Sequence, residues 1–328
     1  MSLYVVTGVA GFIGSRVCRM LLDTGHSVLG VDDLDESYDV RLKERRLAGL
    51  GGPGFSFLHA DVSRVEEVRR IGDRLRGEGG RVEAIVNLAA RAGVRASLLN
   101  PLVYLETNLT GTLLLLELCR DLGVAKFVLA SSSSVYGLGA EVPFREDGDT
   151  NQPVSPYAIS KKAAEELSYV FHHQYGLDVS VLRYFTVYGP AGRPDMSPFR
   201  FVKWVFEGLP VQLFGDGTQE RDFTYVDDIA RGTIAALRPV GYEIFNLGSD
   251  RPITLSRFLR LVEENVGRKA VVERSPRHPA DIPRTWARVD KARTLLGWTA
   301  AVPIEEGVVE LVSWYRVNRA WAKEIRTD

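Results

Sequence analysis

The chain has 328 residues, which is longer than one compact domain usually is, so we expect a large domain and a smaller one. Its 41 basic and 42 acidic residues leave a formal net charge of -1, which argues against binding of nucleic acid or an anionic membrane through overall charge. No run approaches the ~18 apolar residues of a membrane span, and no secretion signal opens the chain. Cys18 and Cys119 lie in apolar helical patterns typical of buried free thiols. We therefore expect a cytoplasmic protein.

Short apolar runs alternate with longer segments of helical period through the first half of the chain. The runs predict strands at Leu3–Thr7, Val28–Val31, Phe55–His59, Ala84–Leu88, Phe127–Ala130 and Val179–Leu182. The segments between them predict helices at Phe12–Thr24, Leu102–Leu122 and Pro156–Tyr175. Such alternation is typical of an α/β fold with a Rossmann-type doubly wound parallel sheet.

The second half is richer in turns. From about Tyr188 the pattern loosens into closely spaced Pro and Gly residues, which predicts a smaller mixed α/β lobe. We assign residues 1–187 to the large domain and residues 188–328 mainly to the substrate-binding lobe. Two segments within 225–250 regain helix and strand character and are expected to return to the large domain.

Gly8, Gly11 and Gly14 follow the first predicted strand at intervals of three and lead into a helix. Glycine at these positions permits a tight turn and the close approach of a pyrophosphate, and the helix amino terminus supplies unpaired N–H groups. The spacing differs from the often cited GxGxxG fingerprint, and a glycine triplet alone can be an ordinary loop. In its strand-to-helix context, the segment predicts a dinucleotide site that includes Phe12 and Ile13.

The next strand ends at Asp32, 18 positions after Gly14. A carboxylate there accepts hydrogen bonds from ribose hydroxyls and repels a 2′-phosphate, so NAD is favoured over NADP as the cofactor. The alternative is that Asp32 caps a turn. Further cofactor contacts are predicted where the third and fourth strands end, at Asp61, Val62, Leu88, Ala89 and Ala90.

Tyr157 and Lys161 are spaced i and i+4 on one predicted helix, and Ser131–Ser134 follow the fifth predicted strand. A phenol with an ordinary pKa near ~10 is a poor base at neutral pH, but a nearby cation lowers that pKa. Ligands bind beyond the carboxyl ends of strands in such sheets, so the serines are candidates to line a polar sugar site. Alone, a Tyr–Lys pair is usually a solvated helix face and a serine run is usually a loop. The glycine turn upstream favours the catalytic interpretation.

Together these features resemble the extended short-chain dehydrogenases that act on nucleotide sugars, and the resemblance extends through Arg221–Asp228. It implies NAD as cofactor and a UDP-sugar as substrate, and we predict no metal site. It assigns Ser132 to the sugar hydroxyl, Tyr157 to the general base and Lys161 to the electrostatic support of that base. It also implies a homodimer formed through two of the predicted helices, Leu102–Leu122 and Pro156–Tyr175.

Within that family, the chain most resembles UDP-glucuronate 4-epimerases, which interconvert UDP-glucuronate and UDP-galacturonate through a 4-keto intermediate. The similar segments are Ser37–Lys43, Ala92–Arg95, Phe185–Pro190 and Gly192–Met196. Relatives that eliminate water carry Asp-Glu where this chain has Ser133 and Ser134, and decarboxylases usually carry Glu at the second position. Relatives that epimerise UDP-glucose have Asn in place of Thr186. UDP-glucose 4-epimerase, UDP-glucuronate decarboxylase and a non-catalytic NAD-binding module remain alternatives.

Substrate contacts are predicted around the carboxylate and the diphosphate. Thr186, Ser133 and Ser134 are expected to donate hydrogen bonds to the carboxylate, which offsets its lost hydration. These bonds would also hold the β-keto acid intermediate out of the orientation in which it loses carbon dioxide. The remaining candidates are charged: Arg95 near the carboxylate, Arg193 and Arg221 at the diphosphate, and Asp281 as a positioning group. Arg193 and Arg221 could each instead form a surface ion pair.

Overall fold

A computed structural model describes residues 2–276 and 281–327 of the chain. Seven parallel strands form the central sheet, in the order β11-β6-β5-β4-β1-β2-β3, and the six other strands form three separate pairs. The strands of the described residues are β1 (Leu3–Thr7), β2 (Ser27–Asp32), β3 (Phe55–His59), β4 (Val82–Asn87), β5 (Lys126–Ser132), β6 (Asp178–Tyr184), β7 (Thr186–Tyr188), β8 (Pro210–Phe214), β9 (Glu220–Arg221), β10 (Phe223–Tyr225), β11 (Tyr242–Leu247), β12 (Ile253–Thr254) and β13 (Val271–Ser275).

Helices connect these strands. They are α1 (Phe12–Asp23), α2 (Val40–Ala48), α3 (Val65–Glu78), α4 (Val94–Leu99), α5 (Pro101–Tyr104), α6 (Gly111–Leu122), α7 (Pro156–Tyr175), α8 (Ser197–Glu207), α9 (Val226–Ala235), α10 (Leu255–Val266) and α11 (Ile304–Ala322). π-helical turns span Leu105–Thr110 and Ala292–Leu296, and a 3-10 turn spans Ser133–Tyr136. The predicted Rossmann-type parallel sheet is confirmed.

The two faces of the sheet are buried in separate apolar clusters, because successive side chains of a strand point to opposite faces. In β1, Tyr4 and Val6 enter one cluster and Val5 enters the other. Such double burial explains why these strands read as continuous apolar runs instead of alternating patterns. The apolar runs predicted as strands are all found as strands, with boundaries that differ by a few residues.

The predicted helix at Leu102–Leu122 is less regular than its sequence pattern. The helical run begins at Pro101 and contains a π-helical turn at Leu105–Thr110, where the Asn108 side chain turns inward and hydrogen-bonds the main chain of Arg91. An 18-residue stretch of this 22-residue run has a mean hydropathy of 1.3, so the run is long and apolar enough to cross a membrane, which the sequence analysis did not identify. Its segments pack against α3 and α7. The absence of a membrane partner stays a prediction.

The sheet's strand order reverses between β1 and β4, which lie side by side at its centre. The ends of the two strands are joined by a hydrogen bond from Thr7 Oγ1 to Asn87 Oδ1 at 2.8 Å. In open α/β sheets, ligands bind beyond the carboxyl ends of the strands at such a reversal. The topology therefore fixes where a functional site is expected.

A third apolar cluster lies outside the sheet and gathers residues mainly from Tyr188 onward, around α8, α10 and α11. The segment Tyr225–Leu247 returns to the sheet: β11 pairs with β6, and Arg16 on α1 makes two hydrogen bonds to Asp227 on α9, at 2.6 and 2.5 Å. The boundary between residues 187 and 188 stays a prediction.

Gly307 on α11 allows a close helix contact within this third cluster. A Cβ atom at this position would overlap the hydroxyl of Tyr188 and lie 2.7 Å from its Cζ, and Tyr188 is fully buried. We expect Gly307→Ala to lower the free energy of unfolding by about 1–3 kcal/mol, despite the higher helix propensity of alanine. Urea denaturation followed by circular dichroism measures this change.

Tyr188→Phe is the matched variant. The described residues give the Tyr188 hydroxyl no hydrogen-bond partner, so its removal is expected to cost little. In the Gly307→Ala background it should restore part of the lost stability. Equal stability of Gly307→Ala and the parent protein would contradict the predicted clash.

Candidate active site

A cavity of about 340 Å³ opens beyond the carboxyl ends of the central strands. It brings together every predicted cofactor-binding and catalytic residue and most of the predicted substrate contacts. Its lining includes Gly8, Gly11, Phe12, Ile13, Gly14, Asp32, Asp61, Val62, Leu88, Ala89, Ala90, Ser132, Ser133, Ser134, Tyr157, Lys161, Thr186 and Arg193. The three predicted substrate contacts outside this lining are Arg95, Arg221 and Asp281.

The glycine turn joins β1 to α1 at one end of the cavity. Gly8 has φ 67°, a left-handed conformation that favours glycine, and a Cβ atom there would lie 2.7 Å from the main chain at Leu88 and Ala89. A Cβ atom at Gly14 would overlap the carbonyl oxygen of Gly8 and lie 2.8 Å from its carbonyl carbon. Backbone therefore occupies the space that larger residues would need, and Gly11 becomes the N-cap of α1.

Asp32 ends β2 next to this turn and is buried. Its carboxylate accepts hydrogen bonds from the main-chain N–H groups of Ala10 at 3.0 Å and Leu34 at 2.9 Å. Asp61 lies on the neighbouring strand end and accepts hydrogen bonds from the main chain and hydroxyl of Ser63. The turn-capping alternative thus describes part of what Asp32 does in this structure, while the same side chain also lines the cavity.

Asp35, Lys43 and Arg91 are charged residues that also line the cavity, and the sequence analysis assigned them no role. Asp35 accepts hydrogen bonds from both Lys43 and Arg91, and the Lys43 ammonium also lies 4.0 Å from Asp32. Lys43 belongs to Ser37–Lys43, one of the segments similar to the family. That similarity was the signal by which the sequence could have pointed to Lys43. Arg91 directly follows Leu88–Ala90, the predicted cofactor contacts that come after β4.

Tyr157 lies in the first turn of α7, and the local sequence explains why the helix begins there. Ser155 is the N-cap, with its hydroxyl accepting a hydrogen bond from the Ala158 N–H at 3.1 Å, and Pro156 occupies the first helical position. One turn later, Lys161 is buried and its ammonium donates to the Ala130 carbonyl on β5 at 2.7 Å. Tyr157 and Lys161 therefore face the carboxyl end of β5.

Ser132 ends β5 and reaches the same point. Its hydroxyl accepts a hydrogen bond from the Ser134 N–H at 3.1 Å, which starts the 3-10 turn that carries Ser133 and Ser134. Burial raises the pKa of Tyr157, whereas a hydrogen bond from Ser132 and the charge of Arg193 lower it. The groups that favour the phenolate in this structure are thus Ser132 and Arg193.

Lys161 was expected to support the phenolate. Burial lowers the pKa of Lys161 to about 8, against the opposing effect of the Glu165 carboxylate one helical turn further on. Its ammonium is engaged with a main-chain carbonyl in this structure. Its support of Tyr157 stays a prediction.

A buried ion pair lies beneath this centre. Glu165 receives hydrogen bonds from the guanidinium of Arg183 at 3.0 and 2.8 Å and from the Ser131 hydroxyl at 2.5 Å. Arg183 also donates to the Tyr136 hydroxyl, which in turn donates to Asn246. These contacts hold α7, the 3-10 turn, β6 and β11 in one arrangement below the reacting residues.

Arg193 and Thr186 reach the cavity from the segment after β6. Arg193 donates to the Ala92 carbonyl at 3.1 Å and forms a two-point pair with Asp195. Thr186 begins β7, and its N–H donates to the Asp222 carbonyl at 3.1 Å. Thr186 lines the cavity together with Ser133 and Ser134.

The remaining charged candidates have protein partners. Arg95 pairs with Asp281 at 2.5 Å and lies 4.0 Å from the centre of the Phe214 ring, and Arg221 donates to the Glu220 carbonyl at 2.8 Å. Their roles as substrate contacts stay predictions. Across residues 2–276 and 281–327, no group of three or more His, Cys, Asp or Glu side chains is arranged to hold a metal ion.

The family model described as NAD dependent epimerase/dehydratase matches residues 4–248, which is most of the chain and includes the whole glycine turn and the Tyr157–Lys161 pair. The chain belongs to the NAD dependent epimerase/dehydratase family.

Similar family members are known in sequence and in structure. A UDP-glucuronate 4-epimerase of Thermodesulfobacterium geofontis (strain OPF15) is 53% identical over 328 residues, covering 99% of this chain and 100% of the relative. The crystal structure of UDP-glucuronic acid 4-epimerase from Bacillus cereus, in complex with UDP-glucuronic acid and NAD, has a TM-score of 0.89 at 33% identity, covering 96% and 99% of the two chains. A UDP-glucose 4-epimerase of Thermotoga maritima, with UDP-glucose, has a TM-score of 0.87 at 32% identity, covering 97% and 99%.

The geometry of the glycine end fits the cofactor of this epimerase/dehydratase family. The three glycines permit the tight turn that a pyrophosphate needs, because a Cβ atom at each would lie closer than 3.0 Å to the main chain, and the carboxylate of Asp32 lies beside the turn. NAD, the predicted cofactor, is therefore the cofactor of this chain.

Gly14→Ala tests the turn. The added methyl group overlaps the Gly8 carbonyl, so the turn must open and we expect NAD affinity to fall by at least about tenfold, since about 1.4 kcal/mol of strain corresponds to that factor. NAD released from the purified protein by denaturation and quantified by chromatography measures the occupancy.

Gly77→Ala is the control, because Gly77 lies in α3 and a Cβ atom there meets no other atom within 4 Å. We expect it to keep the parent occupancy. Full NAD occupancy in Gly14→Ala would show that the turn tolerates a side chain.

Proposed function

We propose that the protein is a UDP-glucuronate 4-epimerase that interconverts UDP-glucuronate and UDP-galacturonate with bound NAD. One observation carries the proposal: Ser133, Ser134 and Thr186 line the same cavity as Tyr157, and none of the described lining residues at this end is acidic. Neutral hydroxyls suit a sugar carboxylate, whereas elimination of water would require an acid and a base near carbons 5 and 6. An epimerisation without net redox change fits this set of groups.

Tyr157 is the general base. Its phenolate takes the proton of the sugar 4-hydroxyl and returns it after the 4-keto intermediate has rotated in the cavity. Ser132 forms a hydrogen bond with the reacting sugar hydroxyl, and Lys161 supports the phenolate. When bound, NAD supplies a reversible two-electron acceptor for carbon 4. Gly8, Gly11, Gly14 and Asp32 hold it at the other end of the cavity, together with the remaining predicted cofactor contacts.

The substrate carboxylate needs control as well as binding. The 4-keto intermediate is a β-keto acid, which loses carbon dioxide when the bond to its carboxylate aligns with the ketone π system. Hydrogen bonds from Thr186, Ser133 and Ser134 hold the carboxylate out of that alignment. Arg193 also lines the cavity, and its charge strengthens binding of the anionic substrate through the diphosphate.

The relatives support this choice of substrate. The relative with 53% identity over the full chain is named a UDP-glucuronate 4-epimerase, and the Bacillus cereus structure contains UDP-glucuronic acid and NAD. A structure with nearly the same similarity is a UDP-glucose 4-epimerase. The neutral sugar is therefore the alternative substrate to test first.

The deciding experiment is incubation of the purified protein with UDP-glucuronate, without added cofactor. Anion-exchange chromatography and proton NMR should detect UDP-galacturonate rising to an equilibrium, because NAD is retained. A pentose product would instead identify a decarboxylase. Conversion of UDP-glucose, with none of UDP-glucuronate even after NAD is added, would overturn the assignment of the carboxylate site.

Thr186→Val removes one carboxylate donor without changing side-chain volume much. We expect UDP-4-keto-pentose to be released as a side product, because the carboxylate gains freedom to align with the ketone. Mass spectrometry of the reaction mixture detects this pentose. Thr186→Ser keeps the hydroxyl and is expected to release none, and absence of the pentose across Thr186→Val, Ser133→Ala and Ser134→Ala would argue against the idea.

Ser132→Ala tests the environment of the base. The lost hydrogen bond favoured the phenolate, so the pKa of Tyr157 rises and activity, which needs the phenolate, begins at higher pH. We expect the acidic limb of the kcat/KM profile to move upward by about one to two pH units, since a hydrogen bond to a charged group is worth about 1.5–3 kcal/mol. Ser133→Ala is the control, and an unmoved limb in Ser132→Ala would contradict the role of Ser132.

We further propose a cytoplasmic homodimer that has neither a membrane nor a nucleic-acid partner. Large apolar side chains on the α4–α5 segment and on α7 are exposed, among them Leu99 at 88%, Leu102 at 62% and Ile159 at 48%. Exposed apolar side chains that gather on one surface mark a candidate subunit interface. Sedimentation analysis should find a dimer for the parent protein and for Val317→Glu on α11, and a monomer for Leu102→Glu.

A further inference from the structure

Arg46 on α2 is a buried arginine that does not line the cavity. Its guanidinium donates two hydrogen bonds to the Ala191 carbonyl, at 3.1 and 2.7 Å, and one to the Gly192 carbonyl at 3.3 Å. It also donates to the Ala10 carbonyl at 3.2 Å and to the Tyr38 hydroxyl at 2.7 Å. One side chain thus joins the glycine turn, the segment after β2 and the segment after β7.

The partners of Arg46 are neutral. The described residues place no carboxylate within 4.0 Å of its guanidinium, which lies 5.9 Å from the centre of the Phe12 ring and 5.5 Å from that of Tyr38. Burying a charge without a counter-charge is costly, so such charges are normally paired. An anion bound at the neighbouring glycine turn lowers this cost. The charge of Arg46 therefore favours a turn that holds a pyrophosphate.

The segment held by Arg46 reaches the substrate end of the cavity. Ala191 adopts a left-handed conformation, with φ 56°, which is strained for a residue other than glycine and persists only where neighbours fix it. Two residues further on is Arg193, which lines the cavity and lowers the pKa of Tyr157. The hydrogen bonds to the Ala191 and Gly192 carbonyls consequently fix the position of the main chain that leads to Arg193.

Arg46 also joins two segments that carried the family resemblance separately. Tyr38 belongs to Ser37–Lys43, and Gly192 begins Gly192–Met196, more than 140 positions later in the chain. A Cβ atom at Gly192 would lie 3.7 Å from the ring of Phe12, the first residue of α1. The cofactor turn and the segment that carries Arg193 are therefore close in space, and Arg46 joins them by hydrogen bonds.

We propose that Arg46 is a positioning residue that couples NAD retention to nucleotide-sugar binding. The proposal rests on the proposed function, because it requires a UDP-sugar at the Arg193 end of the cavity. A nucleotide sugar that orders the segment around Arg193 orders the carbonyl partners of Arg46, and through Ala10 it tightens the glycine turn. By linkage, NAD must strengthen binding of the nucleotide by the same factor.

The test measures NAD affinity of the full-length protein by titration, with and without saturating UDP as the probe. In the parent protein, UDP should tighten NAD binding by about tenfold, a factor typical of coupled sites. Arg46→Met keeps most of the side-chain volume but has no donors, and we expect the UDP effect to fall below about twofold. Arg45→Met is the matched control: Arg45 is the preceding residue of the same helix, is exposed and lies over the Trp321 ring at 4.1 Å.

Arg46→Lys covers the case in which Arg46→Met does not fold, as judged by circular dichroism. It retains the charge but replaces the forked donor by a single ammonium, which cannot reach both the Ala191 and Ala10 carbonyls in the same way. We expect an intermediate UDP effect. The inference would be overturned if UDP tightened NAD binding in a folded Arg46→Met or Arg46→Lys protein by the same factor as in the parent protein. It would also be overturned if UDP had no effect on NAD affinity in the parent protein.

Failure of the proposed function gives a different result. If calorimetry finds that UDP does not bind the NAD-loaded protein, the UDP-sugar assignment fails and the coupling proposal fails with it. If UDP binds but leaves NAD affinity unchanged, only the role of Arg46 is wrong. Both measurements are independent of turnover.

Discussion

The close approach of the glycine turn to the end of β4 is the constraint on which the rest of the site depends. Gly8 lies where any side chain would meet the main chain of Leu88 and Ala89, and Gly14 lies against the Gly8 carbonyl. This contact brings the amino terminus of α1 to the point where the strand order reverses. A helix amino terminus at that position favours a pyrophosphate, so one steric requirement determines both the fold of the turn and its ligand.

The reacting end of the cavity has an electrostatic requirement: the Tyr157 phenol must become charged while it is buried. Burial alone keeps the Tyr157 phenol protonated, and the protein opposes this with the Ser132 hydrogen bond and the Arg193 charge. Those two groups come from different parts of the fold: Ser132 from the end of β5 and Arg193 from the segment after β7. The pair Glu165–Arg183 keeps α7 fixed against the sheet beneath them. The basicity of Tyr157 thus depends on how separate elements pack.

The two ends of the cavity are connected through protein as well as through the cavity itself. Arg46 joins the Ala10 carbonyl to the carbonyls of Ala191 and Gly192, while the Arg16–Asp227 pair fixes α1 to α9. The first connection runs between the turn proposed to hold NAD and the segment proposed to contact the nucleotide sugar. An enzyme that keeps its cofactor through each catalytic cycle benefits from such a connection, because the substrate then stabilises the cofactor that it needs.

The sequence by itself determined the parallel sheet, the glycine turn and the Tyr157–Lys161 spacing, because each follows from short-range sterics and helix periodicity. It could not tell which of its arginines reach the cavity: Arg193 and Arg221 were both assigned to the diphosphate, yet Arg193 lines the cavity and Arg221 does not, while Arg95 pairs with Asp281, 186 positions away. It also gave no role to Lys43 and Arg46. The partners of a long charged side chain come from segments distant in sequence, so only tertiary packing decides them.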